Sequence, residues 1–279
     1  MWWSGALALS VMVFLGVVMG LWLRTVKDQG TAQEHTGQAG APVEERVVSR
    51  FESPSEEDAL LLVKRALAVQ GVSQVAEYFH LGSTSPDAAL IFLRGMEQTD
   101  GVVVGFEWLS SMDRNGLLID GVAVNTRLGN KTRNRLALLT PDERGKWKID
   151  FDAFARTVSP SWSELLENES GQGVVRVIVA KDNYFNGRFR DETEWECYGM
   201  VSPDTRSVMM GYCRKGSPQA AAMAKIVAAG EGDAGMRAVK RATLEIRHAP
   251  GSEARQFEIT RVLAEDWVLS AKPYDESFR

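Results

Sequence analysis

From Trp2 to Leu23 the chain carries no charged side chain, a run of 22 residues. As a helix at ~1.5 Å per residue it spans roughly 33 Å, against a hydrocarbon core of about 30 Å. Trp2 and Trp3 at one end and Trp22 at the other stand where interfacial aromatics belong, and Arg24 and Lys27 close the segment. The expectation is a single-pass transmembrane helix over residues 2–23, within an N-terminal stretch 1–24. A cleaved secretory signal would need a basic start and a small-residue cleavage site soon after the apolar core. Tryptophans follow Met1 directly, Leu21-Trp22-Leu23 is a poor cleavage site, and Ala39-Gly40-Ala41 lies too far downstream. Only the C-terminal flank is basic, which taken literally puts the rest of the chain in the cytoplasm. Two residues are a thin basis, so the side of the cell membrane stays open. Gly16 and Gly20 have the small-xxx-small spacing of helix dimers, although glycine is also common in membrane helices generally.

Residues 25–54 change character. Gly30, Gly37, Gly40, Pro42 and several glutamines appear, and no helical or strand period persists. This reads as a flexible linker, holding the rest of the chain roughly 30 Å from the bilayer at ~5–6 Å × √n. His35 lies within it without a partner in sequence. The remaining chain has ordinary globular composition, 25% charged and 44% apolar overall, so disordered and collagen-like classes are excluded. A net charge of −5 offers no basic excess for nucleic acid. Two cysteines and three histidines cannot make a four-cysteine zinc site and have no plausible mixed spacing, so no metal and no cofactor is expected.

Residues 55–158 read as one α+β domain. Ser55 or Ser53 caps a helix whose Glu56, Glu57 and Asp58 suit its positive end, with Leu60, Val63 and Leu67 as its stripe. Val72, Val75, Ala76 and Phe79 repeat the helical spacing. Ser85-Pro86-Asp87 starts a third helix with Ala89, Phe92, Leu93 and Met96 inward. The period then falls to two. Strands are expected at Val102–Trp108, Leu118–Thr126 with a bulge at Gly121, Arg133–Leu139 and Trp147–Phe151, joined by turns at Asn115-Gly116, Gly129-Asn130 and Pro141–Gly145. One apolar face per strand suits an antiparallel sheet covered by helices on one side.

Three helices followed by a four-stranded meander of long strands resembles the nuclear-transport-factor-like (cystatin-like) cone fold. The resemblance covers about 100 residues and lies in element order and hydrophobic pattern, without a diagnostic motif. It implies a curved antiparallel sheet with a pocket between sheet and helices. That superfamily holds isomerases, cyclases, epoxide hydrolases and many non-catalytic binding modules, so fold alone decides no function.

Residues 159–279 read as a second α+β domain, a diverged or incomplete copy of the same type, or else as part of one composite domain whose sheet continues across the Ser159-Pro160-Ser161 boundary. Ser161–Leu166 is a short helix, and Val174–Ala180 a strand apolar on both faces apart from Arg176. Glu194–Met200 fits helix or strand. Ser217-Pro218 opens a helix ending at Gly230, followed by strands at Val239–Arg247, Arg255–Leu263 and Trp267–Leu269. Both halves carry a Ser-Pro-capped helix leading into strands with a late tryptophan, Trp147 and Trp267.

Candidate chemistry is sparse. No nucleophile elbow, P-loop, GxGxxG, HExxH or CxxC occurs. Strict alternation puts Asp120 on one face with Leu118, Val122 and Val124, where it would be a desolvated carboxylate, while a bulge at Gly121 would release it to solvent. Tyr78 could serve as its phenol donor. Tyr78 and His80 flank Phe79 at a helix end, where capping or edge packing explains them, and Glu107 faces solvent by alternation. Cys197 and Cys213 enclose 15 residues; paired, they would contribute ~3 kcal/mol in an oxidising compartment, and otherwise they are two small buried thiols. Tyr184, Phe185, Phe189, Trp195 and Tyr198 form either a contact patch or core. The two sequons at Asn130 and Asn168 are triplets that chance supplies often.

These features favour a membrane-anchored, non-catalytic binding or assembly protein, with layout like that of bacterial envelope proteins. The bilayer is its first partner through residues 2–23; a protein partner or small ligand stays unspecified, and a second copy is one candidate. The alternative is a small-molecule lyase, isomerase or hydrolase using Asp120 and Tyr78.

Overall fold

The computed structural model describes residues 51–114, 117–168, 171–205, 207–228 and 240–279. These belong to one compact unit, Val48–Arg279. The expected membrane helix, Gly16 and Gly20, His35 and all of the linker up to residue 50 lie outside the described residues. Among those described, no helix is long and apolar enough to cross a membrane. The unit is mixed α+β, with two sheets and six α-helices among the described residues.

The first half begins with α1 (Glu56–Leu67), α2 (Val72–Tyr78), the two-residue β1 (Phe79–His80) and α3 (Pro86–Asp100). The serines do what their positions dictate. Ser55 Oγ accepts from Asp58 N–H at 3.2 Å and Ser85 Oγ from Ala88 N–H at 3.2 Å, each satisfying a donor that the first helical turn leaves free. The buried seam of α1 is Ala59, Val63 and Ala66, so the small residues beside the expected leucine stripe face the sheet. Small side chains let the helix approach the strands closely, and Leu60, Leu62 and Leu67 flank the contact.

The chain then lays down β2 (Val102–Arg114), β3 (Leu117–Leu128), β4 (Lys131–Pro141) and β5 (Trp147–Asp150) as an antiparallel meander, and β1 joins β5 in parallel. The order is β1-β5-β4-β3-β2. The bulge lies on β2 rather than at Gly121. Trp108 faces Val122 and Ser110 faces Gly121, so Leu109 is the extra residue, and Val104 is a second one. The β3 alternation is therefore unbroken. β5 is also shorter than expected. Asp150 Oδ1 accepts from Ala153 N–H at 2.7 Å and starts a short helix, α4 (Phe151–Ala155), so Phe151 leaves the strand.

The helix-covered face is filled by side chains. Val122, Val124, Ala137, Leu139 and Ile149 from the strands meet Phe79, Phe92, Phe151 and Phe154. These rings interlock edge to face, with Phe79–Phe151 centroids at 5.7 Å and Phe92–Phe151 at 5.5 Å. Each such ring contributes ~1.5–3 kcal/mol by burial. The opposite face is covered as well, where the sequence suggests solvent. Ile119 and Leu138 pack on Trp267, Val268 and Ile178 of the second half, so one core joins the two sheets.

The second half contains α5 (Trp162–Glu167), β6 (Gln172–Asp182), β7 (Trp195–Val201), β8 (Val208–Arg214), α6 (Pro218–Ala228), β9 (Lys240–Arg247) and β10 (Gln256–Ala264). Its five strands close into a barrel in the order β10-β8-β7-β6-β9, with β9 back against β10 and β8 parallel to β10. The first half is an open sheet, so the two halves share helix-then-strand ingredients but not topology. A five-stranded barrel with a helix between its third and fourth strands has the Greek-key connectivity of OB-type barrels. Glu194–Met200 resolves as strand β7. The sequence carries no alternation for β8, where Gly211 interrupts the run. A Cβ at Gly211 would lie 2.8 Å from Met200 Sδ and 2.9 Å from Ile259 Cδ1, so the glycine lets both side chains close over the strand. Trp267–Leu269 is not a strand. Trp267 is instead a buried plug whose Nε1–H donates to Val177 O at 3.2 Å.

Candidate functional site

Asp120 keeps the inward orientation that β3 alternation predicts. It sits opposite Ser111 and Leu139 and is 0% exposed. Ser111 Oγ donates to Oδ1, and the Ser53 hydroxyl also faces the carboxyl. Burial pushes the Asp120 carboxyl above its usual range, while the two serines pull the other way. Its Oδ2 and the Nε1 of Trp108, a neighbour on β2, are buried without hydrogen-bond partners. Ser53 reaches this position because residues 51–53, assigned to the linker from sequence, are tied down. Trp147 Nε1–H donates to Glu52 O at 3.1 Å, and Phe51 fills the space beside Gly145.

Tyr78 is not brought to Asp120. Phe79 pairs with Ile149, Ile149 with Leu139, and Leu139 with Asp120, which puts three strand spacings, about 14 Å, between the two backbones. Leu139 and Ile149 fill the row between, and Tyr78 packs at the edge of the apolar core. His80 Nε2 lies 3.3 Å from Thr140 O, and burial holds its pKa below the ordinary value. Glu107 is exposed, as alternation requires.

Cys197 and Cys213 are both free and buried. Cys197 pairs across the ladder with Tyr212, and Cys213 with Glu196. Cys197 belongs to the outer aromatic cluster and Cys213 to the barrel interior, so the thiols point to opposite faces of one wall. Burial pushes each up to about 12, far from the thiolate that nucleophilic or metal chemistry needs.

The aromatic run resolves as core. In barrels of this connectivity the outer face of the second and third strands, between the first and fourth loops, is a common ligand surface. Here the chain covers it. Phe189 stacks on Tyr212 and meets Trp195 edge-on, with centroids 4.9 Å apart. Tyr212 Oη–H donates to Tyr184 O at 2.8 Å, and Asn186 Nδ2–H donates to Glu253 Oε1 at 2.8 Å, fastening one loop to the other.

Sequence reasoning missed the charged joint between the halves. Arg176 of β6 donates to Trp267 O at 3.0 Å and Thr157 Oγ1 at 2.8 Å, with Asp152 3.8 Å away. Asp152 also accepts from Thr84 Oγ1 at 2.8 Å, and a Cβ at Gly82, whose φ is +55°, would collide with its carboxylate. Burial pushes the nearby Asp150 up to about 6. Arg135, Arg156, Asp100 and Asp204 form a second charged group. The available signal was Arg176 inside the otherwise apolar run Val174–Ala180; Arg135 sits in the polar first half of β4 and carries no such signal. Among the described residues, no group of three or more His, Cys, Asp or Glu side chains is arranged to hold a metal ion. No protein-family profile, curated protein or solved structure matches the chain.

Proposed function

We propose that the protein is a membrane-tethered, non-catalytic binding or assembly protein. In this reading residues 2–23 hold the compact unit at the bilayer, and the first half is a cone-type module of the nuclear-transport-factor-like kind. The observation that carries the reading is the filled helix-covered face. Phe79, Phe92, Phe151 and Phe154 occupy the space in which a cone-type enzyme would hold substrate. The ligand face of the barrel is likewise occupied by Phe189. With both faces closed, the protein works through its outer surface and as a rigid body. A second copy, joined through Gly16 and Gly20, is the simplest partner.

Liposome flotation of the full chain and of residues 25–279 tests the tether. The full chain is expected to float and the truncated chain to stay in the dense fraction. Flotation of both, or of neither, removes the anchor from the proposal. Self-association lost on replacing Gly16 and Gly20 by isoleucine supports assembly through that helix.

One observation favours the enzyme alternative. A buried carboxylate with raised pKa and an unpartnered oxygen is the kind of group that general acid–base chemistry uses. The test is turnover of small ketones, esters and epoxides by wild type and Asp120→Asn. No turnover sensitive to Asp120 is expected. Turnover abolished by that substitution would replace the non-catalytic reading.

A further inference from the structure

Five charged side chains meet where the end of α3, the inner sheet strand β4, the C-terminal end of α4 and Asp204, between β7 and β8, come together. Arg135 on β4 puts Nε on Asp100 and gives Nη1 to the carbonyls of Phe154 and Ala155, at 3.1 and 3.3 Å. Its Nη2 lies 3.7 Å from an Asp204 oxygen. Arg156 Nε lies 3.1 Å from the other Asp204 oxygen, but out of line for a hydrogen bond. Arg133 leans on Asp100 at 3.5 Å. Among the described residues three guanidinium groups thus face two carboxylates, and Asp100 is already shared by Arg133 and Arg135. Among the described residues, Asp204 is the carboxylate left to balance Arg156 and the Nη2 edge of Arg135.

The members differ in exposure. The side chains of Arg135 and Arg156 are 5% and 6% exposed, whereas that of Asp204 is 36% exposed. The arginines are built in, and the carboxylate comes from a surface turn. Aromatic rings fix both guanidinium groups: Arg135 lies 4.9 Å from the Phe92 centroid and Arg156 6.0 Å from that of Trp267. Arg156 is also the one non-glycine residue with positive φ among the described residues, at φ 54°. Burial and the Arg135 charge push Arg156 down to about 10, the signature of a cation short of counter-charge. A buried guanidinium without a well-aligned hydrogen bond is costly, and its planar fork matches a carboxylate or phosphate.

We propose that Arg135 and Arg156 form a binding site for a small oxyanion, a carboxylate or phosphate group, which the Asp204 side chain occupies from within and which an external anion takes by displacing that side chain. The site lies apart from Asp120 and does not depend on whether the protein is catalytic.

The test uses the full chain in detergent. Inorganic phosphate, acetate and potassium chloride are titrated calorimetrically at fixed ionic strength into wild type, Asp204→Asn, Arg156→Gln and Asp120→Asn. Wild type is expected to bind phosphate or acetate saturably and chloride not at all; the two arms tell a phosphate group from a carboxylate. Removing the internal competitor tightens binding roughly tenfold or more in Asp204→Asn, because the competent state is no longer a minor fraction. Arg156→Gln abolishes binding, and Asp120→Asn leaves it unchanged. Since Arg156→Gln can fail to fold, the melting temperature of Asp204→Asn is a second readout, falling below wild type and restored by the anion. Saturable binding by Asp204→Asn alone would make Asp204 a permanent structural partner and overturn the proposal. Binding by neither chain, or equal responses to chloride, would overturn it as well.

Discussion

Phe189 lies flat against Tyr212, with ring centroids 4.0 Å apart and planes 4° from parallel. One ring comes from a loop and the other from strand β8, so a contact between residues 23 positions apart fastens the loop over the barrel wall. Phe189 is 0% exposed. Phe189→Ala leaves a ring-sized void and frees the loop, at a cost of ~3–5 kcal/mol. Urea denaturation of residues 25–279 measures this directly. A loss below about 1 kcal/mol would mean that the stack contributes little and the loop is held by Asn186 and Tyr184.

The two thiols provide a second check. Burial raises each to about 12 and they face opposite ways, so neither is expected to react with an aromatic disulfide reagent in the native protein at pH 8. Both are expected to react after unfolding, with no need for a reductant. A mass two units low, or a thiol released only by reductant, would contradict the barrel register that separates them.

Arg176 ties the barrel to the first half through Trp267 O, Thr157 and Asp152. Arg176→Met removes one partner of a buried pair and leaves Asp152 short of positive charge, at ~3–5 kcal/mol. Wild type is expected to melt in one transition and the variant in two, since this joint couples the halves. A single unshifted transition would assign the coupling to Ile119, Leu138 and Trp267 instead.

Asp150 gives a pH dependence with a definite sign. Its carboxyl rises from 3.8 to about 6 on folding, so the folded protein holds the proton more tightly than the unfolded chain. The resulting stabilisation is complete below about pH 3.8 and is lost as pH rises through about 6. Asp150→Asn keeps an N-cap for α4 and removes the charge, so it stabilises the protein at pH 7.5 by about 1–3 kcal/mol and matches wild type near pH 4. Denaturation at the two pH values reads the difference. A variant less stable than wild type at pH 7.5 would show that Asp150 works mainly as a counter-ion for Arg176.

Much of the first half was legible because its signals are local. Ser55 and Ser85 mark helix starts through hydrogen bonds made within three residues. The inward face of β3, Asp120 included, follows from alternation along one strand. The position of the bulge was not legible, since it depends on how β2 runs against β3. Asp150 misled for a related reason: its alternation continues β5, but its carboxylate caps α4. In the second half, Gly211 hides β8 because the strand is specified by Met200 and Ile259 pressing against it, residues remote in sequence. Arg176 stood out in an apolar run, but its partners Asp152, Thr157 and Trp267 come from three other segments.

Hydrophobic period, caps and turn residues thus determined the first three helices and the strands of the meander and which face of each is apolar, because these depend on neighbours a few positions away. Tertiary structure alone decided that the second sheet closes on itself through the β8–β10 and β6–β9 pairings, that Cys197 and Cys213 face apart, that the space expected for a ligand is filled by phenylalanines, and that Arg135 and Arg156 converge on Asp204. Each of these joins residues distant along the chain. Their chemistry comes from burial and mutual placement, which a linear pattern does not carry.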